Sequence, residues 1–194
     1  MATRDTGTEQ LIKDTAKRIF FSEGKLHATT QDIADAAGVN RTLLNYYFRS
    51  RDILFEQVAT EARLEMSAVL DAVFVAELPF KDKLKKLIHV FMDQAMQFPY
   101  REMFVVTEIN RTEKAVPEEK RTRVNAFLKE VSTEMESGKI KKMDPRHFCM
   151  NLFALMAYPL ITNCLNKSIY NMNDVEYLKL MKERKQVIFD IMYQ

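Results

Sequence analysis

The sequence has little of what an enzyme active site usually requires. Its 194 residues include only four glycines, two cysteines and three histidines. It contains no glycine-rich phosphate loop, no Cys-x-x-Cys pair and no His-Glu-x-x-His zinc motif. The histidines, at positions 27, 89 and 147, lie far apart along the chain. We therefore expect a protein that is not an enzyme and that has no metal or other cofactor; catalysis would require a chance convergence of Glu, His and Asp in a pocket.

The usual features of a secreted or membrane-spanning protein are also missing. Residues 1–8 are polar, which argues against a secretory signal. The longest apolar run, residues 152–161, is too short to cross a membrane and contains Pro159. If Cys149 and Cys164 share one helix, they lie about 22 Å apart, too far for a disulfide bond. These observations favour a cytoplasmic protein with buried free thiols and no membrane partner.

The formal net charge is only +2, so the whole molecule is not a polycation. Any contact with nucleic acid must therefore come from a local patch of basic residues. The 47% hydrophobic content is typical of a globular protein, and the length suits one large domain or two small ones.

The segment from residue 29 to residue 54 predicts two short helices that meet at a glycine. Thr30 can cap the first helix through its hydroxyl group. Gly38 can adopt the left-handed conformation that ends a helix. Asn40 can then cap the second helix. This arrangement predicts a helix-turn-helix, whose second helix lies in the major groove of DNA.

The second helix carries side chains of the types that read DNA. Arginine pairs with guanine and asparagine with adenine, and both are expected on its outer face. Tyrosines and arginines near its end, at positions 46, 47, 49 and 51, and Ser50 can donate to phosphates, which position a protein without reading sequence. The candidate DNA-binding residues are Thr30, Gln31, Asn40, Arg41, Thr42, Asn45, Tyr46, Tyr47 and Arg51. An amphipathic helical hairpin in an ordinary domain would share the helix–glycine–helix pattern.

The order of these residues closely resembles the DNA-binding domain of the TetR family of bacterial transcriptional regulators. The matching positions are Thr30, Ile33, Ala34, Ala37, Gly38, Val39, Phe48, Arg51 and Leu54. The chain departs from the family where Asn45 replaces a usual Tyr and Tyr47 replaces the commonest His. Thr42 stands in place of a frequent Gly, and Arg51 in place of the usual Lys. These departures leave the operator sequence open.

Apolar spacing predicts an all-α fold. Besides the helix-turn-helix, the predicted helices cover residues 8–23, 51–77, 80–98, 100–111, 117–137 and 145–165, with a last helix that begins at Asn173 or Asp174. We place the boundary between two domains inside the long helix. Residues 1–54 form a three-helix DNA-binding domain, and residues 55–194 form a larger helical bundle. The resemblance implies that this bundle binds an effector and dimerises.

The family's effector pocket lies between the middle helices, so the resemblance implies such a pocket here. The candidate lining residues are His89, Phe91, Met92, Met96, Met103, Phe104, Thr107, Phe127, Asn151, Phe153 and Met156. Their apolar, adaptable character indicates an apolar or amphipathic small molecule of unknown identity. For any single one of them, a place in the plain core is the better interpretation, and the case for a pocket depends on the resemblance. His89 and Asp93 have a metal-pair spacing, but without a third ligand a hydrogen-bonded pair is favoured.

The helix of residues 145–165 is apolar around most of its circumference, so it must bury more than one face. It belongs either to an internal bundle or to an interface with a second copy, and the resemblance favours a homodimer. The candidate interface residues are Phe148, Leu152, Leu155, Leu160, Val175, Leu178, Ile188 and Ile191.

We therefore predict a repressor that binds a pseudo-palindromic operator in double-stranded DNA as a homodimer and is released by its effector. Repression rather than activation is the family's usual mode. The alternative is a helical adaptor that binds small molecules or proteins without regulating an operator.

Overall fold

The computed structural model describes residues 6–104 and 116–194, and all of their regular secondary structure is helical. An all-α protein is therefore confirmed. The helices are α1 Thr6–Lys17, continued by a π-helical turn Arg18–Ser22, α2 Thr30–Ala37, α3 Arg41–Phe48, α4 Arg51–Phe74, α5 Phe80–Gln97, α6 Glu118–Glu136, α7 Pro145–Ile161, α8 Asn163–Ile169 and α9 Asp174–Met192. Residues 101–104 are also helical. The rest of the helix predicted at 100–111, together with Thr107, lies outside the described residues.

Helix α2 begins with a capping box. The Thr29 side chain accepts a hydrogen bond from the backbone N–H of Asp32 (3.2 Å), and the Asp32 carboxylate accepts one from the backbone N–H of Thr29 (2.8 Å). This hydrogen bond to the backbone and another to the Thr29 hydroxyl hold the pKa of Asp32 below its ordinary value. The expected cap at Thr30 was therefore wrong by one residue, because the acid at the third helical position pairs with Thr29.

Helix α2 ends at Gly38, as the sequence predicts. Gly38 has φ 67°, its N–H donates to the Asp35 carbonyl (3.2 Å), and the Val39 N–H donates to the Ala34 carbonyl (3.0 Å). These bonds satisfy carbonyls that the end of the helix leaves without partners. Asn40 then caps α3, since its Oδ1 accepts from the Leu43 N–H at 2.7 Å.

We expect Gly38→Ala to lower the free energy of unfolding by about 1–2 kcal/mol, the cost of a left-handed conformation for a residue with a Cβ. Apart from its two chain neighbours, no described residue has a heavy atom within 4 Å of the added Cβ, so backbone strain rather than collision is the cause. Denaturant unfolding measures the loss. Gly38→Asn is the matched control and should lose less, because Asn tolerates this conformation. Equal losses in the two variants would contradict this explanation.

The described residues fall into two compact units. The first holds residues 6–65 and 98–104, and the second holds residues 66–97 and 116–194. The chain passes from the first unit to the second within α4, between Glu65 and Met66. Residue 54, the predicted domain boundary, lies inside the first unit, and the extent of an independent DNA-binding domain stays a prediction.

The core of the first unit includes a segment that is distant in sequence. Tyr100 donates its backbone N–H to the Phe21 carbonyl at 3.1 Å. A Cβ on Gly24, whose φ is 71°, would lie only 2.7 Å from the Tyr100 ring, so this position requires glycine. The Phe104 ring packs on those of Phe55 and Phe21, with centroids 4.8 and 5.8 Å away. Residues 98–104 therefore complete the core formed by α1 to α4.

The second unit has its own core, built from α5, α6, α7 and α9. An ion pair joins two of these helices: the Lys83 Nζ lies 2.7 Å from a carboxylate oxygen of Glu130. The Lys83 side chain is only 6% exposed, and its second acceptor is the Phe74 carbonyl at 3.4 Å. The largest fully buried side chains of this unit include Leu84, Leu87, Phe127 and Phe148.

A proline bends the helix that was predicted to run to residue 165. Pro159 has no N–H to offer the Leu155 carbonyl, which accepts instead from the Arg184 Nε at 3.0 Å. The Tyr177 hydroxyl donates to the Pro159 carbonyl at 2.5 Å. Two side chains of α9 therefore hold the bend, after which α8 leaves α7 at 72°.

The bend places the two cysteines on separate helices. Cys149 and Cys164 lie on different helices and are both free. Burial raises the pKa of the Cys149 thiol to about 11, but Cys164 is exposed, so the expectation of two buried thiols was wrong for Cys164. Within residues 6–104 and 116–194, no single helix is long and apolar enough to span a membrane, and only the bent pair α7–α8 passes this test of length and composition.

Candidate nucleic-acid interface

Helix α3 has an apolar inner face and a polar outer face. Leu44, Tyr47 and Phe48 are buried in the core of the first unit. The outer face carries the exposed side chains of Arg41, Thr42, Asn45 and Tyr46. Tyr46 is 64% exposed despite its size. A helix held by one face in this way can place the other face in a groove.

The outer face keeps its hydrogen-bonding groups available. Among the described residues, the Arg41 guanidinium and the Asn45 side-chain amide have no hydrogen-bond or ion-pair partner. Both groups belong to types that bind base edges in pairs of hydrogen bonds. Arg41 lies in the first turn of α3, and the N-terminal residues of a recognition helix are those that reach the bases.

The candidates around the start of each helix are partly engaged. Gln31 donates its side-chain amide to Asp35 at 2.7 Å along α2. Asn40 uses its Oδ1 as the cap of α3, which leaves its amide nitrogen free to donate outward. Thr30, the first residue of α2, is half-buried. We expect these three side chains to support orientation more than base reading.

Two of the sequence-based candidates have other roles in the structure. Tyr47 is only 7% exposed and packs its ring against those of Tyr46 and Phe48, with centroids 5.4 and 6.2 Å away. It lies three residues after Leu44, which puts it on the inner face of α3. Arg51 is turned toward its own protein and donates from Nε to the Ala28 carbonyl at 3.2 Å. Its Nη2 donates to the Leu26 carbonyl. The expected phosphate contacts of Tyr47 and Arg51 are therefore replaced by contacts inside the first unit.

Arg49 was not among the nine selected residues, although it lies in the same basic turn. It is exposed and has φ 57°, and its backbone N–H closes α3 on the Asn45 carbonyl at 2.8 Å. Among the described residues its guanidinium has no partner. Its position directly after Phe48, at the end of the predicted recognition helix, was the signal in the sequence that pointed to Arg49.

The described candidate pocket residues are divided between the two units. Met103 and Phe104 belong to the first unit, whereas the other described candidates belong to the second. In the second unit, Phe91, Met92, Phe127 and Met156 are buried core, Met96 and Phe153 pack against that core, and His89 and Asn151 are exposed. Asn151 borders a surface groove of about 520 Å³ between α7 and α9. Lining a common pocket stays a prediction for these residues.

A metal site is equally unsupported at the one spacing that suggested it. Asp93 forms an ion pair with Lys185, Nζ to carboxylate 2.5 Å, on the second unit. In the part of the chain that the structure describes, no three His, Cys, Asp or Glu side chains converge as metal ligands would.

The candidate interface residues divide into two sets. Four of them are internal core and cannot face a partner directly: Phe148, Leu152, Leu160 and Ile188. Leu155 is half-buried, and the exposed ones are Val175, Leu178 and Ile191. When a helix is apolar around most of its circumference, its sequence does not indicate which side faces the core.

Ile191 and four residues that were not predicted form an exposed apolar side of these two helices. Met150, Ala154 and Tyr158 follow one another at four-residue spacing on α7, and Val187 and Ile191 do so on α9. We call these five residues the α7–α9 face. Met150 is 65% exposed, Tyr158 61% and Ile191 59%. The groove of about 520 Å³ is lined by Ala154, Tyr158 and Ile191 together, which makes the two rows one surface.

Comparison with known proteins identifies the segment that contains the helix-turn-helix. Residues 12–58, from α1 into α4, match the family model described as bacterial regulatory proteins, tetR family. No curated protein sequence matches the chain.

Solved structures match the chain over nearly its whole length. A TetR family transcription regulator from Marinobacter aquaeolei VT8 is 18% identical, with 100% of both chains covered and a TM-score of 0.56. The probable transcriptional regulatory protein RHA5900 is 13% identical, covers 94% of this chain and 97% of its own, and has a TM-score of 0.62. The fatty acid degradation regulator FadR from Bacillus halodurans is 17% identical, covers 96% and 97%, and has a TM-score of 0.53.

At sequence identities this low, the solved structures show a shared fold only. The family model identifies the segment that contains the helix-turn-helix. Members of this family regulate transcription and are not enzymes. The helix-turn-helix at residues 30–48 lies inside the matched segment. The match of residues 12–58 to the tetR family of bacterial regulatory proteins identifies the N-terminal helix-turn-helix as the DNA-binding part of a transcriptional regulator.

Proposed function

We propose that the chain is a cytoplasmic repressor that binds a pseudo-palindromic operator as a homodimer and is released by a small apolar or amphipathic effector. The observation that carries the proposal is the outer face of α3, where the side chains of Arg41 and Asn45 have no partner in the described part of the chain. With a net charge of only +2, such local groups rather than overall charge must provide the contact with DNA. Bound over a promoter, the protein would exclude polymerase.

Support for a dimer comes from the α7–α9 face. Exposed large apolar side chains that lie next to one another on a surface mark an interaction site. A two-fold axis through this face would pair it with itself, since a symmetric dimer uses the same patch on both subunits. Two recognition helices would then read half-sites about 34–36 Å apart or a multiple of this distance.

The proposed effector is supported by the composition of the second unit. Met92, Met156 and Met181 are buried in its core, and methionine side chains can repack around a guest molecule. One structural relative is described as a regulator of fatty acid degradation, which suits an amphipathic ligand. The effector must bind the form that does not bind DNA better than the form that does. A hundredfold release corresponds to a coupling of about 2.7 kcal/mol.

The decisive experiment selects DNA sites from a random duplex library with the purified full-length protein and then footprints the enriched sequence. We expect two inverted half-sites and a footprint that covers both. No enrichment over random DNA, or a single asymmetric half-site, would contradict the proposal. A promoter that carries the site should be transcribed less in vitro when the protein is added, and a screen of fatty acids and their thioesters should find a compound that reverses this effect.

A further inference from the structure

We propose that Arg51 is a positioning residue, which acts on DNA through the loop before α2, and that Arg49 supplies the phosphate contact in this turn. The two arginines are separated by one residue, and the sequence alone does not distinguish them. The inference rests on the DNA-binding function and assigns different roles to two neighbouring charges within it.

Every nitrogen of the Arg51 guanidinium has a partner inside the protein. Nε donates to the Ala28 carbonyl at 3.2 Å, and Nη2 donates to the Leu26 carbonyl. Nη1 lies 3.1 Å from a carboxylate oxygen of Asp52. These bonds use three of the five guanidinium N–H donors and hold the group against the protein. The two carbonyls lie 23 and 25 residues earlier in the chain, so the side chain joins distant segments.

Two adjacent aromatic rings also pack against the same guanidinium. Its central carbon lies 5.3 Å from the centroid of the Phe20 ring and 5.0 Å from that of the Phe55 ring. Arginine stacks on aromatic rings in this way and is less strongly hydrated than lysine. The Arg51 side chain is 29% exposed, so reaching toward DNA would require leaving both rings and both carbonyls.

The loop that Arg51 contacts, residues 25–29, borders open space. Leu26 and Ala28 line an open cavity of about 680 Å³, next to the polar side chains of Lys25 and His27. Thr29 follows immediately and caps α2. The Arg51 hydrogen bonds therefore tie the first turn of α4 to the chain just before α2, and α2 in turn packs on α3. Releasing them would leave the recognition helix folded but less well oriented.

Arg49 shows the opposite arrangement. Its side chain is exposed, and among the described residues it forms no ion pair or hydrogen bond. Its backbone has φ 57°, a region that costs a residue with a Cβ about 1–3 kcal/mol. This conformation ends α3 and directs the chain away from the helix. A free cation at the end of the reading helix is suited to a phosphate.

The test compares Arg51→Lys, Arg51→Ala, Arg49→Lys and Arg49→Ala in the full-length dimer. Affinity for the selected operator and for a random duplex of equal length is measured by fluorescence anisotropy across a series of KCl concentrations. A phosphate contact in each subunit contributes about 1.8 to the salt slope of the dimer, because each neutralised phosphate contributes about 0.9. Arg49→Ala should lose about this much slope and bind both duplexes more weakly, whereas Arg49→Lys should keep the slope.

Arg51 should behave differently in the same measurements. Both Arg51→Lys and Arg51→Ala should bind the operator at least about tenfold more weakly, a loss of about 1.4 kcal/mol, with an unchanged slope and a smaller loss on random DNA. Lysine should not rescue, because its single ammonium nitrogen lacks the planar fork by which Arg51 reaches two separate carbonyls and packs against both rings. Rescue by lysine, together with a lower slope in Arg51→Ala, would overturn the proposal. Unchanged operator affinity in both variants would overturn it as well.

Hydrogen exchange of the loop separates this proposal from the function on which it rests. Backbone amides of residues 25–29 should exchange faster in Arg51→Lys than in the original protein, while those of α3 keep their protection. Unchanged exchange in this loop would overturn the positioning role whether or not an operator is found. Failure of the original protein to select any DNA would instead contradict the proposed function.

Discussion

Ile191→Lys should convert the proposed dimer into a monomer and weaken operator binding by at least about a hundredfold. Ile191 is 59% exposed and lies in the groove between α7 and α9, so in a symmetric dimer two charges would enter one apolar interface. Two linked DNA-binding domains bind about 10²–10⁴-fold more tightly than one, and a monomer loses this gain in affinity. Lysine is chosen because a cation near the C-terminus of α9 does not oppose the helix dipole.

Analytical ultracentrifugation at micromolar concentration measures the assembly, and anisotropy measures the affinity. Val75→Lys is the matched control: Val75 is 62% exposed on the same unit but lies outside the α7–α9 face, so its variant should remain dimeric. A dimeric Ile191→Lys protein with normal affinity would show that the interface lies elsewhere.

A substitution of the neighbouring core residue separates assembly from folding. Ile188 is fully buried, and Ile188→Ala should lower the free energy of unfolding by about 2–5 kcal/mol through lost contacts and a cavity. At temperatures where this variant is still folded it should remain a dimer. If Ile188→Ala dissociated the dimer while Ile191→Lys did not, the internal face rather than the exposed one would be the interface.

Local signals made the helix-turn-helix predictable from the sequence. Gly38 ends α2 and Asn40 begins α3 as expected, because each acts on backbone groups within a few residues of itself. The outer face of α3 also follows from helical spacing once Leu44 is placed inside. The cap at Thr29 instead of Thr30 was missed because two threonines are adjacent, and only the pairing with Asp32 separates them.

Contacts between distant residues were not predictable in this way. Arg51 resembles a phosphate ligand until the carbonyls of Leu26 and Ala28 are brought to it by folding. Gly24 and Tyr100 pack together across more than seventy residues, so nothing local indicates that residues 98–104 belong with the first unit. The apolar circumference of α7 predicts that more than one face is buried, but it does not indicate which face is the internal one.

The second large effect concerns reading of the bases, and Asn45 is the residue that we expect to carry it. It lies one turn after Arg41 on the exposed face of α3, and its side-chain amide has no partner among the described residues. An asparagine that donates and accepts at the edge of one adenine contributes about 1–3 kcal/mol of discrimination at that base pair. Both half-sites of the operator would use it.

Asn45→Ala should therefore remove the preference at one adenine–thymine pair in each half-site and leave the other positions unchanged. The measurement is the affinity of wild-type and variant proteins for operators that each carry one symmetric base-pair change. In the wild type, changing the critical pair should weaken binding by about 2–6 kcal/mol summed over both half-sites. In Asn45→Ala that penalty should vanish, because the group that rejected the wrong base is gone.

Arg49→Ala provides the contrast, since losing a phosphate contact weakens binding to every operator alike and keeps the ranking of sequences. A variant at position 45 whose penalties match the wild type at every base pair would show that this side chain does not read sequence, and the search would move to Arg41 and Thr42 in the first turn of the same helix.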